Sequence, residues 1–106
     1  MAETIEELTV NFTDPDGKQV VKQLDKHILS KGGWTTILYL YQEWDRRKEE
    51  WSSTKARIER YQKRKGVFRS QSRFKISSGK QARAIAAQLL TWFPEGATGD
   101  DAADEE

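Results

Sequence analysis

Cationic and aromatic side chains alternate through the middle of this 106-residue chain. The relevant runs are Lys55-Ala56-Arg57-Ile58-Glu59-Arg60-Tyr61, Lys63-Arg64-Lys65-Gly66 and Arg73-Phe74-Lys75-Ile76. Lysine and arginine bind phosphate groups, and tyrosine and tryptophan rings stack on exposed nucleobases. These residue types in this arrangement favour binding to a polyanion whose bases are unpaired.

The distribution of charge supports the same chemistry. Residues 45–83 contain 14 Lys and Arg against four Asp and Glu, a net charge of +10, although the whole chain has a net charge of +1. Residues 1–44 have a net charge of −3 and residues 84–106 one of −6. A basic middle between acidic ends indicates a nucleic-acid-binding surface, and a solvated sheet face is the alternative.

Residues suited to catalysis or metal binding are sparse. The chain has one histidine, His27, and no cysteine, which excludes disulfides and thiolate metal sites. The acidic residues concentrate in the two terminal segments, where a rigid acid/base pair is not expected. We therefore expect a protein without catalytic activity, cofactor, metal site or small-molecule substrate.

Alternation of apolar and polar residues predicts the strands that would position the cations and aromatic rings. The core face is predicted to contain Leu38, Leu40, Ile58, Phe68, Phe74 and Ile76. The opposite face is predicted to contain Tyr39, Tyr41, Lys55, Arg57, Tyr61, Lys63, Arg69, Arg73 and Lys75. A shift of one residue in register would exchange the two sets.

Tryptophans flank these strands. Trp34 and Trp44 fall on the apolar side of their strand, whereas Trp51 lies among charged residues in a long loop, 45–53. We expect Trp51 to be the more exposed ring.

The ends of the chain differ in composition from its middle. Residues 1–7 are predicted to be a flexible N-terminus, residues 8–94 a single domain and residues 95–106 a disordered acidic tail. A hairpin is predicted to join residues 8–12 to residues 18–21. Residues 20–30 have apolar residues at helical spacing, so the pattern alone favours a helix there.

A C-terminal helix is predicted from Ala82 to Phe93. Ser78, with Gln81 three residues later, has the form of a capping box, and Pro94 prevents continuation. The helix has more apolar surface than one sheet face would cover, which predicts a homodimer. The predicted interface residues are Ile85, Leu89, Trp92 and Phe93.

Four motifs in the chain resemble one known family. They are Gly33-Trp34-Thr35, the aromatic strand Tyr39-Leu40-Tyr41-Gln42-Glu43-Trp44, the run from Lys55 to Tyr61, and Phe74-Lys75-Ile76-Ser77-Ser78 before the helix. In order and spacing they are similar to the transcriptional-coactivator family called positive cofactor 4 in eukaryotes, and especially to its short bacterial members. The similarity covers about Val20 to Phe93.

The resemblance implies an α+β fold, with a curved antiparallel sheet of about four strands and a C-terminal helix through which two copies dimerise. Residues 20–30 would then be a strand, and we adopt that expectation over the helix. The family binds single-stranded DNA along its sheet without strong sequence preference. By this match Lys55 stands at a lysine of the family and Tyr61 at its stacking tryptophan. Arg73 stands at the family's lysine before Gly-Ile, and Trp34 at the tryptophan of Gly-Trp-Thr.

The chain also departs from the family pattern. Arg57-Ile58-Glu59 stands where the family has Asp-Ile-Arg, the glycine of Lys-Gly-Ile is missing before Ile76, and the first hairpin is additional. These differences affect the expected contacts more than the expected fold.

Together these observations predict a homodimer that binds single-stranded DNA, or RNA, through a basic aromatic sheet face. The predicted binding residues are Trp34, Tyr39, Tyr41, Trp51, Lys55, Arg57, Tyr61, Lys63, Arg69, Arg73 and Lys75. The alternative is a protein-interaction or structural dimer whose basic face meets an acidic partner, including its own tail. No apolar run is long enough to span a membrane, so we expect a cytoplasmic protein without a membrane partner, and one associated with the nucleoid if it binds DNA.

Overall fold

The computed structural model describes residues 3–95 as one curled antiparallel sheet followed by a helix. In chain order the elements are a 3-10 helix at Ile5–Glu7, strands β1 (Phe12–Thr13), β2 (Gln19–Ser30), β3 (Trp34–Asp45), β4 (Glu50–Trp51), β5 (Lys55–Arg64) and β6 (Val67–Ile76), and helix α1 (Gly79–Trp92). The strand order is β1-β2-β3-β5-β6, and β4 pairs with the end of β3. The predicted α+β class, with its C-terminal helix and additional N-terminal strand, is confirmed. Of the predicted acidic tail, only Glu95 lies within the described residues.

Residues 20–30 belong to β2, so the helix that their spacing favoured is wrong. β2 pairs with β3 from Val21 opposite Glu43 to Ser30 opposite Thr36. Two register shifts, one between Gln23 and Asp25 and one between Ile28 and Ser30, interrupt this pairing. Each bulge adds a residue to one strand, which moves the apolar positions out of a two-residue period.

Tight turns connect the strands where the sequence predicts them. Lys65 (φ 55°) and Gly66 (φ 80°) both occupy the left-handed region, as the two central residues of a type I′ hairpin turn must. This turn pairs Arg64 with Val67 and sets the register of β5 against β6. The hairpin β5–β6 therefore begins at the glycine that the sequence marked as a turn.

The sheet has two faces, defined by residues that stand opposite each other on neighbouring strands. The tyrosine face contains Ile37, Tyr39, Tyr41, Arg57, Glu59 and Tyr61. The apolar face contains Leu38, Leu40, Ala56, Ile58, Phe74 and Ile76. The predicted division of β3 and β5 into these two sets is confirmed.

The predicted burial is wrong for the tyrosines and for two residues of the predicted core, Leu40 and Phe74, although Phe68 and Ile76 are buried as expected. Tyr39 and Tyr41 are fully buried, whereas Leu40 is 39% and Phe74 53% exposed in this protomer. The physical reason is the path of residues 5–10, which we call the strap. Leu8 and Val10 of the strap pack on the tyrosine face in one cluster with Tyr39, Tyr41, Tyr61, Ile37 and Phe68. The strap includes the 3-10 helix, which lies within the segment predicted to be a flexible N-terminus. Of the predicted first hairpin strand, residues 8–12, only Phe12 pairs with β2.

A bulge in β6 changes the predicted position of one cation. Tyr61 pairs with Ser70 and Arg60 with Ser72, which leaves Gln71 as an extra residue. On the turn side of this bulge the alternation in β6 reverses. Arg69 therefore stands opposite Gln62, on the side of the apolar face, and not beside Arg73 as predicted. Phe68 stands opposite Lys63, on the tyrosine face, and not on the apolar face as predicted.

Helix α1 begins as its capping residues predict. Ser78 Oγ accepts a hydrogen bond from the Gln81 N–H at 3.1 Å, and Gln81 Oε1 accepts one from the Ser77 N–H at 3.0 Å. Yet α1 has no buried residue. Of the predicted interface residues, Ile85 is half-buried, and Leu89, Trp92 and Phe93 are 46–67% exposed.

Neither helix within residues 3–95 has the length and apolar character needed to cross a bilayer.

Candidate nucleic-acid interface

Three tyrosines form the centre of the tyrosine face. The Tyr39 and Tyr61 hydroxyl oxygens are 2.8 Å apart and share a hydrogen bond, while Tyr41 Oη is buried without a partner among the described residues. Burial raises the pKa of all three hydroxyls, so they remain protonated at neutral pH. These rings were predicted to be exposed for stacking, and in the described protomer they are part of the core.

A buried ion pair lies beside the tyrosines. Arg57 Nε is 3.1 Å from Glu59 Oε2, and both side chains are at most 10% exposed. The Ser70 hydroxyl donates to Glu59 Oε1 at 3.3 Å, and Arg73 Nε lies 3.7 Å from Glu59 Oε2. Arg57 was predicted to face a ligand, but its charge is balanced by Glu59. Arg73 keeps a 54% exposed side chain and can contact a ligand at the same time.

Exposed cations lie along the hairpin β5–β6, on both sides of the sheet. They are Lys63, Arg64, Lys65, Arg69, Arg73 and Lys75. Of these, Arg73 and Lys75 stand opposite Glu59 and Arg57, at the open edge of the sheet.

Lys55 is more constrained than the other predicted cations. Its ammonium donates to Glu43 Oε1 at 2.9 Å, and Lys75 Nζ lies 3.9 Å from Glu43 Oε2. The hydrogen bond from Lys55 lowers the pKa of Glu43, which keeps this carboxylate charged. Lys55 therefore reaches a ligand only in competition with Glu43.

A cleft of about 420 Å³ lies between the strap side of the molecule and strands β5 and β6. Leu8 and Val10 line one wall, and Arg57, Tyr61 and Arg73 line the other. The cleft joins the buried tyrosines to the exposed cations of β6.

The two predicted tryptophans do not lie with the tyrosines. Trp34 is on the side of the apolar face, half-buried, with the Arg60 guanidinium 4.4 Å from its ring centre. Trp51 is in β4 and packs edge-on against Trp44 at 5.4 Å between ring centres.

Lysines cover the rings of this second pair. Lys18 Nζ lies 3.9 Å from the Trp44 ring centre and Lys22 Nζ 4.4 Å from that of Trp51. Trp51 is therefore half-buried in a cation–π cluster, and not the exposed loop ring that was expected.

Sequence reasoning missed the residues that cover and hold the tyrosine face. Leu8 and Val10 alternate as buried residues do, but this pattern does not indicate which surface they cover. Lys26 and Gln23, whose side chains bind the strap, are charged or polar residues in an irregular strand. The two bulges in β2 remove the alternation that would have placed them.

Comparisons with family models, curated proteins and solved structures find no match for this chain. The resemblance to positive cofactor 4 therefore stays a prediction. Among residues 3–95, no group of three or more His, Cys, Asp or Glu side chains is arranged to hold a metal ion.

Proposed function

We propose that this protein is a non-catalytic homodimer that binds single-stranded nucleic acid, DNA in the first instance, along the border between the tyrosine face and β6. The observation that supports this most is the set of exposed cations on the hairpin β5–β6, next to three clustered tyrosines. RNA has the same phosphates and base faces and belongs to the same ligand class.

Phosphate binding is the first part of the proposal. Arg73 and Lys75 are two residues apart on an edge strand and point to the same side, so their Cα atoms are roughly 7 Å apart. Both side chains are half-exposed. One sugar–phosphate backbone running along β6 can therefore contact both cations, and such contacts weaken as salt rises.

Preference for single strands is the second part. Only unpaired bases offer their flat faces to aromatic rings, and each stacked base adds about 1–3 kcal/mol. Tyr61 lines the cleft beside Arg73 but is buried in the described structure, so a base that stacks on this ring once it is uncovered would keep its phosphate near a guanidinium.

Dimerisation through α1 is the third part. Leu89, Leu90, Trp92 and Phe93 expose large apolar side chains on a helix that makes little contact with its own sheet, and Leu40 and Phe74 expose the apolar face. Contiguous apolar surface of this kind favours association. A second copy would cover the apolar face and leave the tyrosine face on the outside of the dimer.

Substitution of Arg73 tests the phosphate contact. We expect Arg73→Ala to weaken binding of a single-stranded oligonucleotide and to reduce the slope of log K against log salt by about one unit. Lys48→Ala, in the turn between β3 and β4, is the matched control and should leave both quantities nearly unchanged. Equal effects of the two substitutions would mean that β6 is not the binding site.

A second candidate function follows from the burial of the tyrosines. Since no tyrosine ring of this face is open for stacking in the described protomer, the exposed cations alone form the available surface. A basic surface without stacking fits an acidic protein segment, such as residues 95–106, as well as phosphates. Binding of poly-glutamate in preference to an oligonucleotide of equal charge would favour this protein-interaction function.

A further inference from the structure

On the basis of the proposed single-strand binding, we propose that the strap, residues 5–10, is an autoinhibitory segment. In the free protein it occupies the surface on which bases stack, and a single strand displaces it. Leu8 and Val10 then hold the places that nucleobases take, and the open state is the state that binds.

The position of the strap supports this inference first. Leu8 and Val10 are 6% and 5% exposed, and they share one cluster with the rings of Tyr39, Tyr41 and Tyr61. No base can stack on these rings while the two aliphatic side chains cover them. The strap and the bases therefore compete for one surface.

The attachment of the strap supports the inference second. Residues 5–10 form no strand with the sheet, and pairing begins only at Phe12. Side chains of β2 hold the strap instead. Lys26 Nζ donates to the carbonyl oxygens of Ile5 at 2.7 Å and Leu8 at 2.8 Å, and Gln23 Oε1 accepts from Thr9 Oγ1 at 2.8 Å and from the Val10 N–H at 3.2 Å. A segment that is held by the burial of Leu8 and Val10 and by two side chains of β2, without strand pairing, can open while the sheet stays folded.

The charge of the strap supports the inference third. Glu6 and Glu7 are exposed on its 3-10 helix, and Glu7 lines the same cleft as Arg57 and Arg73. Departure of the strap removes these carboxylates from the vicinity of the cations. A polyanion therefore gains attraction as well as stacking surface when the strap opens.

Closure of the strap reduces the apparent affinity of the free protein for a single strand. If only a fraction of the molecules is open, the apparent Kd equals the intrinsic Kd divided by that fraction. A substitution that loosens the strap without touching the binding surface should therefore tighten binding.

Lys26→Met is the decisive variant, since it keeps most of the apolar side chain and removes the ammonium that holds the strap. Loss of a cation normally weakens polyanion binding. An autoinhibitory strap predicts the opposite effect on affinity: the Kd for a single-stranded oligonucleotide should decrease by about threefold or more. Lys22→Met, on the same strand but over Trp51, is the matched control and should weaken binding slightly or leave it unchanged.

A reversible clamp supplies the second measurement, because the chain has no native cysteine. Thr9→Cys with Gln23→Cys places one thiol on the strap and one on the β2 residue that holds it. We expect the oxidised protein to bind a single-stranded oligonucleotide with a Kd at least about tenfold higher than that of its reduced form, because the disulfide holds the strap closed. Thr9→Cys alone, treated with the same oxidant, should bind equally in both forms.

The possible outcomes separate this inference from the proposed function. Tighter binding by Lys26→Met and weaker binding by the oxidised clamp support the strap. Single-strand binding that is unchanged or weakened in Lys26→Met, and equal in both clamp forms, overturns the strap and leaves the proposed function standing. Absence of binding in wild type, Lys26→Met and the reduced clamp overturns the proposed function itself.

Discussion

Glu59 balances the positive charge that lies inside the tyrosine face. It is 5% exposed, pairs with Arg57 and Arg73, and accepts a hydrogen bond from Ser70. Of its two cationic partners, Arg57 is buried and Arg73 is open to solvent. Glu59 therefore serves both the stability of the sheet and the orientation of the proposed phosphate-binding arginine.

We expect Glu59→Ala to destabilise the protein by about 3–5 kcal/mol, because Arg57 would be left as a buried charge without its carboxylate. Urea denaturation measures the change. The double variant Arg57→Leu with Glu59→Leu should be less destabilised than Glu59→Ala, since it leaves no unpaired charge. Equal stability of wild type and Glu59→Ala would contradict the burial of this pair.

Ionisation of the Asp14 carboxyl group should make the stability of the folded protein depend on pH. Its carboxylate accepts hydrogen bonds from the N–H groups of Lys18 and Asp16 and from the Arg46 guanidinium, and the bond from Lys18 is the first cause of its lowered pKa. Because the pKa is lower in the folded state, the carboxylate stabilises the fold above its ordinary pKa of 3.8, and this contribution disappears as the pH falls below that value.

The expected result is a difference between two thermal profiles. The melting temperature of wild type should exceed that of Asp14→Asn at pH 6, and the gap should narrow as the pH is lowered to 3. A constant gap over this range would mean that ionisation of Asp14 does not contribute to stability.

At the scale of elements, α1 is a helix without a buried face. An isolated helix of 14 residues is only marginally stable in water, and most helices in proteins are stabilised by packing. The Ser78 cap supports the first turn alone. Packing against a second copy in the proposed dimer would supply the missing stabilisation of α1.

We expect Leu89→Asp with Trp92→Asp to convert a dimer into a monomer and to reduce the helical circular dichroism signal at the same time, because both residues lie on the proposed interface. Sedimentation velocity and far-ultraviolet spectra measure the two effects. Ala87→Asp, on the opposite side of α1, adds a similar charge and should change neither. A wild-type protein that sediments as a monomer with α1 intact would contradict dimerisation through the helix.

Some elements could be predicted from the sequence and others could not. β3, the turn at Gly66 and the start of α1 depend on local alternation, left-handed glycine and capping, all of which are visible within a few residues. β2 and the position of Arg69 depend on bulges, which insert a residue at places that composition does not mark. The helix that spacing alone favours for residues 20–30 and the predicted position of Arg69 are wrong for this reason, whereas the strand adopted for residues 20–30 from the family resemblance is confirmed.

At the scale of the whole molecule, the protomer is a thin body of 49 × 39 × 17 Å, built on a single sheet. One face is covered by the strap, and the other is partly bare. Alternation predicted which residues share a face, but burial depends on which segment covers the face, and for Tyr39 that segment is some thirty residues away in the sequence. The sequence could therefore identify the candidate binding residues without showing that the tyrosines are covered.

Single-strand recognition is tested by an anisotropy titration of a labelled mixed-sequence oligonucleotide, single-stranded against duplex, at two salt concentrations. We predict tighter binding to the single strand, with an affinity that falls as salt rises. Equal binding to both forms would mean that the basic hairpin binds polyanions without preference for single strands. Absence of binding at both salt concentrations would contradict nucleic-acid recognition.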